Sequence, residues 1–338
     1  MSISIEKDIV KQFGDGIMRS GAAVVDSELL VIPVSPSLDV VLGGGIPEGS
    51  FVTFTGQPKC GKTTTCLHFA AKCQGEDYGG ELCPEGRDVY FFNIEGRLKK
   101  RDLEGIPNLD LERFHVIGSE PGRILTAENY LSIAEKTINE VPGSVVILDS
   151  YSALCTEAEI TSSMDKMQRA DGAKLLAKFC RKVANVVPVN RNIVMGITHL
   201  MGNPTGYGAE FKEKSGQAVA YQVDVKLRAK RFSPWEIQDT QVGQKIDWQI
   251  VTSALGPPGG KITSYLRYGA GIDEETELVI LGSDLGLINK AGAWFRFDFV
   301  DGEDKPKFQG AENSRNALIE DPEMKQSLKS SVHNMLGI

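Results

Sequence analysis

Apolar residues follow two different rhythms along this chain. In the middle lie four short runs that are apolar almost throughout: Phe51–Thr55, Val89–Ile94, Val145–Asp149 and Ile193–Thr198. Each is rich in β-branched or aromatic residues, which predicts strands buried on both faces. Between them, helical spacing predicts helices over about 62–74, 126–140 and 164–186. Strand and helix alternate, so the pattern predicts an α/β fold, a mostly parallel sheet flanked by helices. The later runs Tyr221–Arg228, Lys245–Val251 and Thr263–Tyr268 lie closer together, with Gly and Pro in their short connections. They predict antiparallel strands that extend the sheet.

The two ends have other textures. Ile5, Ile9 and Phe13 are four residues apart, which places them on one face of a short helix within 2–20 that Gly14 and Gly16 then break. Such a helix cannot form a core alone; it packs either on its own domain or on another subunit. After Gly269-Ala270-Gly271 the chain becomes charged. Asp321-Pro322-Glu323 is a strong helix start, followed by an apolar stripe of Met324, Leu328, Val332 and Leu336. The expected organisation is therefore an N-terminal helix and linker over 1–32, a core over 33–268 and a small C-terminal α+β domain over 269–338.

Composition narrows the class. The 338 residues are 41% hydrophobic and 24% charged, which excludes bulk disorder. No apolar run approaches the roughly 18 residues of a membrane helix. The segment Met1–Asp8 lacks a basic start followed by an apolar stretch, so no secretory signal is expected. The six cysteines at 60, 66, 73, 83, 155 and 180 form no C-x-x-C pair and only four His are present. That argues for reduced thiols and against a zinc framework. The 37 basic and 45 acidic residues give a net charge of −8. A bulk basic footprint is absent, which weakly disfavours nucleic acid but does not decide a local groove.

The candidate chemistry starts at Gly56-Gln57-Pro58-Lys59-Cys60-Gly61-Lys62-Thr63, followed by Thr64, a match to G-x-x-x-x-G-K-[ST] set between a predicted strand and a predicted helix. Glycines let backbone N–H groups turn inward around phosphates, and the helix N-terminus adds positive potential. Lys62 would neutralise the β- and γ-phosphates, and the Thr63 hydroxyl would ligate Mg²⁺. Asp149 ends an apolar strand at the edge where α/β sheets bind ligands, and would complete the magnesium shell. Glu95, ending another strand, reads equally as the general base for the attacking water or as a solvated turn residue. His199 follows Thr198 and either senses the γ-phosphate or merely caps its strand. Beyond it, Met201–Gln217 is expected to be a Gly-rich loop carrying Lys212 and Lys214; composition alone favours a solvated surface loop, and the two lysines would also suit phosphates. A second polar loop, Thr156–Arg169, carries Lys166 and Arg169, and the next helix adds Lys174, Lys178, Arg181 and Lys182. Part of that set reads as a solvated helix face.

These segments together resemble the RecA strand-exchange recombinases, including their phage UvsX-type relatives. The resemblance runs nearly end to end. It is carried by the phosphate loop, by Lys11-Gln12-Phe13-Gly14-Asp15-Gly16-Ile17-Met18-Arg19, by Ser37-Leu38-Asp39-Val40-Val41-Leu42-Gly43, by Gly202-Asn203-Pro204 with Gly216-Gln217-Ala218, and by Lys290-Ala291-Gly292-Ala293-Trp294-Phe295. It implies a DNA-dependent ATPase that binds ATP and Mg²⁺. Members polymerise into helical filaments on single-stranded DNA and pair it with homologous duplex, in recombination and DNA repair. It implies nucleotide roles for Lys62, Thr63 and Asp149, water activation by Glu95, and a relay from γ-phosphate to DNA at His199, where bacterial members have Gln. Lys166, Arg169, Lys174, Arg181, Lys212 and Lys214 would meet DNA. Ile9, Phe13 and Tyr221 would meet the neighbouring subunit, while single-strand-binding and loader proteins would be further partners. A bacterial or phage-infected cytoplasm, with no membrane contact, would be the setting. Bacterial members reach the neighbour's ATP with lysines where this chain has Thr252 and Ala254, and a third aligns with Ala220. Lys261, Lys212 or another cation is expected to substitute. The alternative is a filament or regulatory protein that binds ATP and DNA with little hydrolysis.

Overall fold

The computed structural model describes residues 2–27, 29–163, 171–202, 211–213, 219 and 222–338. Residues 31–338 form one compact unit, and residues up to 30 form another. In the N-terminal unit, helix α1 (Ser2–Phe13) is stopped by Gly14 and Gly16, both at positive φ, and α2 (Gly21–Val25) starts on the Ser20 hydroxyl, which accepts from the Ala23 amide.

The large unit opens with a short antiparallel pair, β1 (Val31–Ile32) and β2 (Ile46–Pro47), around helix α3 (Pro36–Leu42). Then comes the main sheet. Strand β3 (Phe51–Gly56) is buried along its whole length and leads into α4 (Lys62–Cys73). Strands β4 (Val89–Asn93), β5 (Phe114–Ile117), β6 (Val145–Asp149) and β7 (Ile193–Gly202) come next, with α5 (Lys100–Glu104), α6 (Ala127–Glu140), α7 (Glu157–Thr161), α8 (Asp171–Val183) and α9 (Val186–Val189) between them. β8 (Phe211–Glu213) pairs back onto β7. β9 (Val225–Ile237), β10 (Thr240–Thr252), β11 (Lys261–Arg267) and β12 (Gly271–Ile272) complete a sheet of spatial order 12-11-10-9-3-7-6-4-5. The strands from β5 to β9 in this order pair in parallel; β10 to β12 are antiparallel.

This is the α/β architecture that the apolar runs predict, because uninterrupted apolar strands need cover on both faces. On one face α6 and α8 press Tyr130, Leu131, Leu176, Phe179 and Val183 onto Phe92, Val146, Leu148 and Val194. Three local expectations need correction. The sequence pattern does not predict β5, because only Phe114 of its four residues is buried and the segment lacks a strand rhythm. His199 does not end its strand: β7 continues to Gly202. The expected loop 201–217 is in part a hairpin, since Leu200, Met201 and Gly202 pair with Glu213, Lys212 and Phe211.

The C-terminal region packs Leu278, Ile288, Phe297, Leu318, Leu328 and Val332 between a three-stranded sheet, β13 (Ile288–Ala291), β14 (Trp294–Phe297) and β15 (Lys307–Gln309), and the helices Glu274–Asp284, Ala311–Glu320 and Pro322–Leu336. Asp321 caps the last helix as its sequence predicts, accepting from the Met324 amide at 2.9 Å. Charges join this region to the core. Glu274 accepts from His68 Nε2 at 3.1 Å and pairs with Lys72, both on α4, and with Lys325 of the last helix at 3.4 Å. Burial opposes ionisation of Glu274, yet the His68 hydrogen bond and the two lysines hold its carboxyl well below the usual range.

Candidate nucleotide site

The phosphate-loop segment leaves β3 at Gly56 and enters α4 at Lys62. Gly61 caps the helix at φ +80°, a left-handed conformation that glycine adopts without strain. Space dictates glycine as well: a Cβ at Gly61 would lie 2.5 Å from Ile246 Cδ1, and one at Gly56 would lie 2.8 Å from Cys60 Sγ. The loop thus wraps tightly with its backbone facing inward. Lys62 is buried inside the turn and its ammonium donates to the carbonyls of Gly56 (3.2 Å) and Gln57 (2.7 Å). Cys60 is buried beneath the loop, and that burial pushes its thiol up.

Two carboxylates stand beside this loop in contrasting states. Asp149 accepts from the Thr63 hydroxyl at 2.8 Å, and burial pushes its carboxyl up to about 6. Glu95, at the end of β4, goes the other way. A hydrogen bond from His199 Nε2 at 2.6 Å, joined by one from Ser150 Oγ at 2.6 Å to the same oxygen, holds it down at about 2 against burial. Arg97 lies 3.5 Å from its other oxygen. The Glu95 amide donates to the Asp149 carbonyl, and the His199 amide to Ser152 Oγ, so β4, β6 and β7 are tied together where their functional side chains emerge. Glu95 is therefore not a loosely solvated turn residue. Sequence reasoning misses Ser150, Ser152 and Arg97, although each lies within three residues of a residue singled out there.

Lys62, Thr63, Glu95, Arg97, Asp149 and His199 line one cavity of about 640 Å³. Its near end is formed by Pro58 to Thr64, Glu95, Asp149 and His199; its far wall is made by Phe232, Pro234, Gln241, Gln244, Leu266 and Tyr268. That wall comes from the antiparallel strands, and its geometry rests on a bulge. Gln241 pairs with Glu236 and Gly243 with Trp235, so Val242 is an extra residue. In a regular strand residues three apart face opposite ways; one inserted residue restores the parity and turns both Gln241 and Gln244 toward the cavity. Gln244 Nε2 then reaches the Lys59 carbonyl at 3.4 Å, joining the far wall to the phosphate loop.

The remaining predicted site residues are dispersed. Lys174, Lys178 and Arg181 lie exposed along one stripe of α8, opposite the buried Leu176, Phe179 and Val183. Lys212 belongs to β8, paired with Met201. Phe13 is exposed and Ile9 half-buried in the N-terminal unit. Lys166, Arg169, Lys214, Ala220 and Tyr221 lie outside the described residues. No helix among the described residues is long and apolar enough to cross a membrane.

Comparison with known proteins agrees with this geometry. The RecA N-terminal domain matches residues 2–273 and the RecA C-terminal domain matches residues 276–337. The chain is 30% identical over 334 residues to Protein RecA of Geobacter metallireducens, covering 98% of this chain and 93% of that one. It is 29% identical over 336 residues to Protein RecA of Campylobacter jejuni subsp. doylei, with 98% and 92% covered. Against Protein RecA of Mycobacterium marinum it is 28% identical over 333 residues, with 98% and 90% covered. With both domains matched in order along nearly its whole length, and a phosphate loop at the head of α4, the chain belongs to the RecA family.

Proposed function

We propose that this chain is a DNA-dependent ATPase of homologous recombination and DNA repair. It assembles head to tail on single-stranded DNA in the cytoplasm and pairs that strand with homologous duplex. The observation that carries the reading is the convergence of Lys62, the Thr63–Asp149 pair and the Glu95–His199 pair at the near end of one cavity.

Each residue has a role the chemistry supports. The ammonium of Lys62 exchanges its loop carbonyls for β- and γ-phosphate oxygens, with the loop amides and the α4 N-terminus adding positive potential. Thr63 and Asp149 suit Mg²⁺: a hydroxyl and a carboxylate 2.8 Å apart fit an ion that takes one or two protein ligands and completes its shell with phosphate and water. Mg²⁺, when bound, neutralises charge on the phosphate oxygens. Glu95 receives the proton of the attacking water, and His199 links that carboxylate to β7 and the segment beyond it. Lys174 and Arg181, with Lys166, Arg169, Lys212 and Lys214, supply cations for the DNA backbone, while Ile9, Phe13 and Tyr221 contact the next subunit. A non-closing contact of this kind generates a helix.

A second reading, a filament protein that hydrolyses ATP slowly, draws support from Glu95 itself. A carboxylate held at about 2 by two short hydrogen bonds is a weak base until one of them is released. Strand exchange and phosphate release, measured together with a Lys62→Ala control, separate the two readings. Exchange with phosphate release that rises steeply on adding single-stranded DNA supports the ATPase; exchange with negligible release supports the second. A protein that forms no filament by electron microscopy with single-stranded DNA and a non-hydrolysable ATP analogue removes both.

A further inference from the structure

The turn that carries Glu95 also carries a charge that the roles above leave unused. Asn93, the last residue of β4, turns its side chain back on the chain: its Oδ1 accepts from the Arg97 amide at 3.1 Å and the Leu98 amide at 3.4 Å. The Gly96 amide donates to the Asn93 carbonyl at 3.2 Å. Gly96 sits at φ +65° with nothing within 4 Å of the place a Cβ would take, so glycine is there for its backbone. This tight turn folds Arg97 back beside Glu95. Its Nη1 lies 3.5 Å from Glu95 Oε2, longer than an ordinary hydrogen bond, and its side chain is 79% exposed. Such a loose, exposed ion pair is given up at little cost. The other oxygen of Glu95 is the one that His199 and Ser150 fill. Among the described residues, three lysine or arginine side chains line the cavity. Lys59 and Lys62 belong to the phosphate loop, whereas Arg97 comes from the Glu95 side. It also lines an adjoining cavity of about 440 Å³ formed with Pro58, Ser152 and Leu200.

We propose that Arg97 is a catalytic cation of phosphoryl transfer, exchanging Glu95 Oε2 for an equatorial oxygen of the transferring phosphoryl group. This rests on the reading of the cavity as the nucleotide site. In that transfer the water oxygen bonds to the γ-phosphorus, the bond to the β–γ bridging oxygen breaks, and its electron pair leaves on the diphosphate. The proton of the water passes to Glu95. Negative charge meanwhile spreads over the three equatorial oxygens, beside the water that Glu95 deprotonates. A cation on the Glu95 side meets that charge as it develops. Arginine suits the position better than lysine, because its planar fork carries five N–H donors and matches phosphate oxygens two at a time. Its departure empties Oε2 when the water's proton needs a place. It also removes one of the charges that, after the His199 hydrogen bond, hold this carboxyl down. One movement thus supplies the cation and frees the base.

The test uses the full chain and its Arg97→Ala, Arg97→Lys and Glu95→Gln variants, with Arg97→Ala and Glu95→Gln also combined. Phosphate release is measured with single-stranded DNA and Mg²⁺. Equilibrium binding is measured for a non-hydrolysable ATP analogue and for ADP with aluminium fluoride, which mimics the phosphoryl group in flight. Arg97→Ala is expected to lower kcat by about a hundredfold, with KM and analogue binding within about threefold of the original. Arg97→Lys, a point charge without the fork, should recover part of that loss. A residue that merely positions Glu95 would have no effect once Glu95 is replaced. Arg97→Ala is instead expected to weaken binding of the fluoride complex by about tenfold in the Glu95→Gln background as well. An unchanged kcat, or fluoride-complex binding that Arg97→Ala leaves unaltered in that background, would overturn the assignment while leaving the nucleotide site standing. An unmodified protein that binds neither the analogue nor ADP would remove the site and its catalytic cation together.

Discussion

The near end and the far wall of the cavity are cut from one sheet, but they supply their side chains differently. At the near end, parallel strands β3, β4 and β6 stop at a common edge. Each delivers its chemistry from that terminus: the phosphate loop leaves β3 after Gly56, Glu95 stands just past Asn93 of β4, and Asp149 is the last residue of β6. Charge and helix-terminal potential collect there because every parallel strand ends on the same side. The far wall is broadside. β10 and β11 run past the cavity and contribute Gln241, Gln244, Leu266 and Tyr268 from within or just beyond their lengths, all uncharged. One end is built to stabilise charge and the other to fit shape, so damage to them should differ in kind.

The largest difference should come from exchanging one residue on each side. Lys62→Ala is expected to lower kcat/KM for ATP by about a thousandfold, since it removes a preorganised cation at the reacting phosphate. Gln244→Ala should raise KM by about threefold with kcat preserved, the scale of one exposed neutral hydrogen bond. Steady-state kinetics on both would break the contrast if Gln244→Ala were as harmful as Lys62→Ala.

Glu95→Gln should reduce kcat by about a hundredfold while equilibrium nucleotide binding, tracked by fluorescence titration, stays near its original value. Because the Glu95 carboxyl sits at about 2, it remains ionised above pH 4. An acid limb near pH 5 in the rate profile that Glu95→Gln abolishes would contradict that placement.

Gly243→Ala tests the far wall as a packing element. Its methyl group would strike the Leu266 carbonyl, so β10 and β11 must part. A stability loss of about 2–3 kcal/mol in urea unfolding is expected, from overpacking at a rigid backbone contact.

Asp149→Asn acts with the opposite sign. Burial raises this carboxyl from 3.8 to about 6, so the folded chain holds the proton more tightly than the unfolded one. The stability this contributes is complete below pH 3.8 and is lost as pH rises through about 6. Replacing Asp149 should therefore raise stability at pH 7.5 by about 1–3 kcal/mol, and change little at pH 4, while Mg²⁺ no longer protects against unfolding. Thermal melts at the two pH values, with and without Mg²⁺, check both parts.

The same contrast explains how much of the molecule is legible in the chain alone. The near end is local in sequence. A strand carrying Phe51, Val52 and Phe54, a glycine turn and a helix start lie within Phe51–Thr63, and Asp149 directly succeeds Val145-Val146-Ile147-Leu148, so periodicity finds them. The far wall is not local. Gln241 and Tyr268 meet through a pairing between β10 and β11 whose register no short window contains, and the bulge at Val242 reverses the face that simple alternation assigns. β7 escapes in a similar way: its last residues gain their strand character from β8, so the apolar run alone stops it at Thr198. Ser150 is a third case. Its hydroxyl matters because Glu95 lies beside it in space, fifty-five positions away in sequence.

The Glu274 junction carries a further consequence. Its carboxylate grips α4 beyond Thr63 through His68 and Lys72, and grips the last helix through Lys325. The final fifteen-residue helix is thus a strut for the element that carries the phosphate loop. Clipping the chain before Pro322 would take away one of the cations that neutralise a buried anion and loosen α4 at its far end. A fusion or truncation there would alter nucleotide handling from outside the cavity, with every residue that lines it intact.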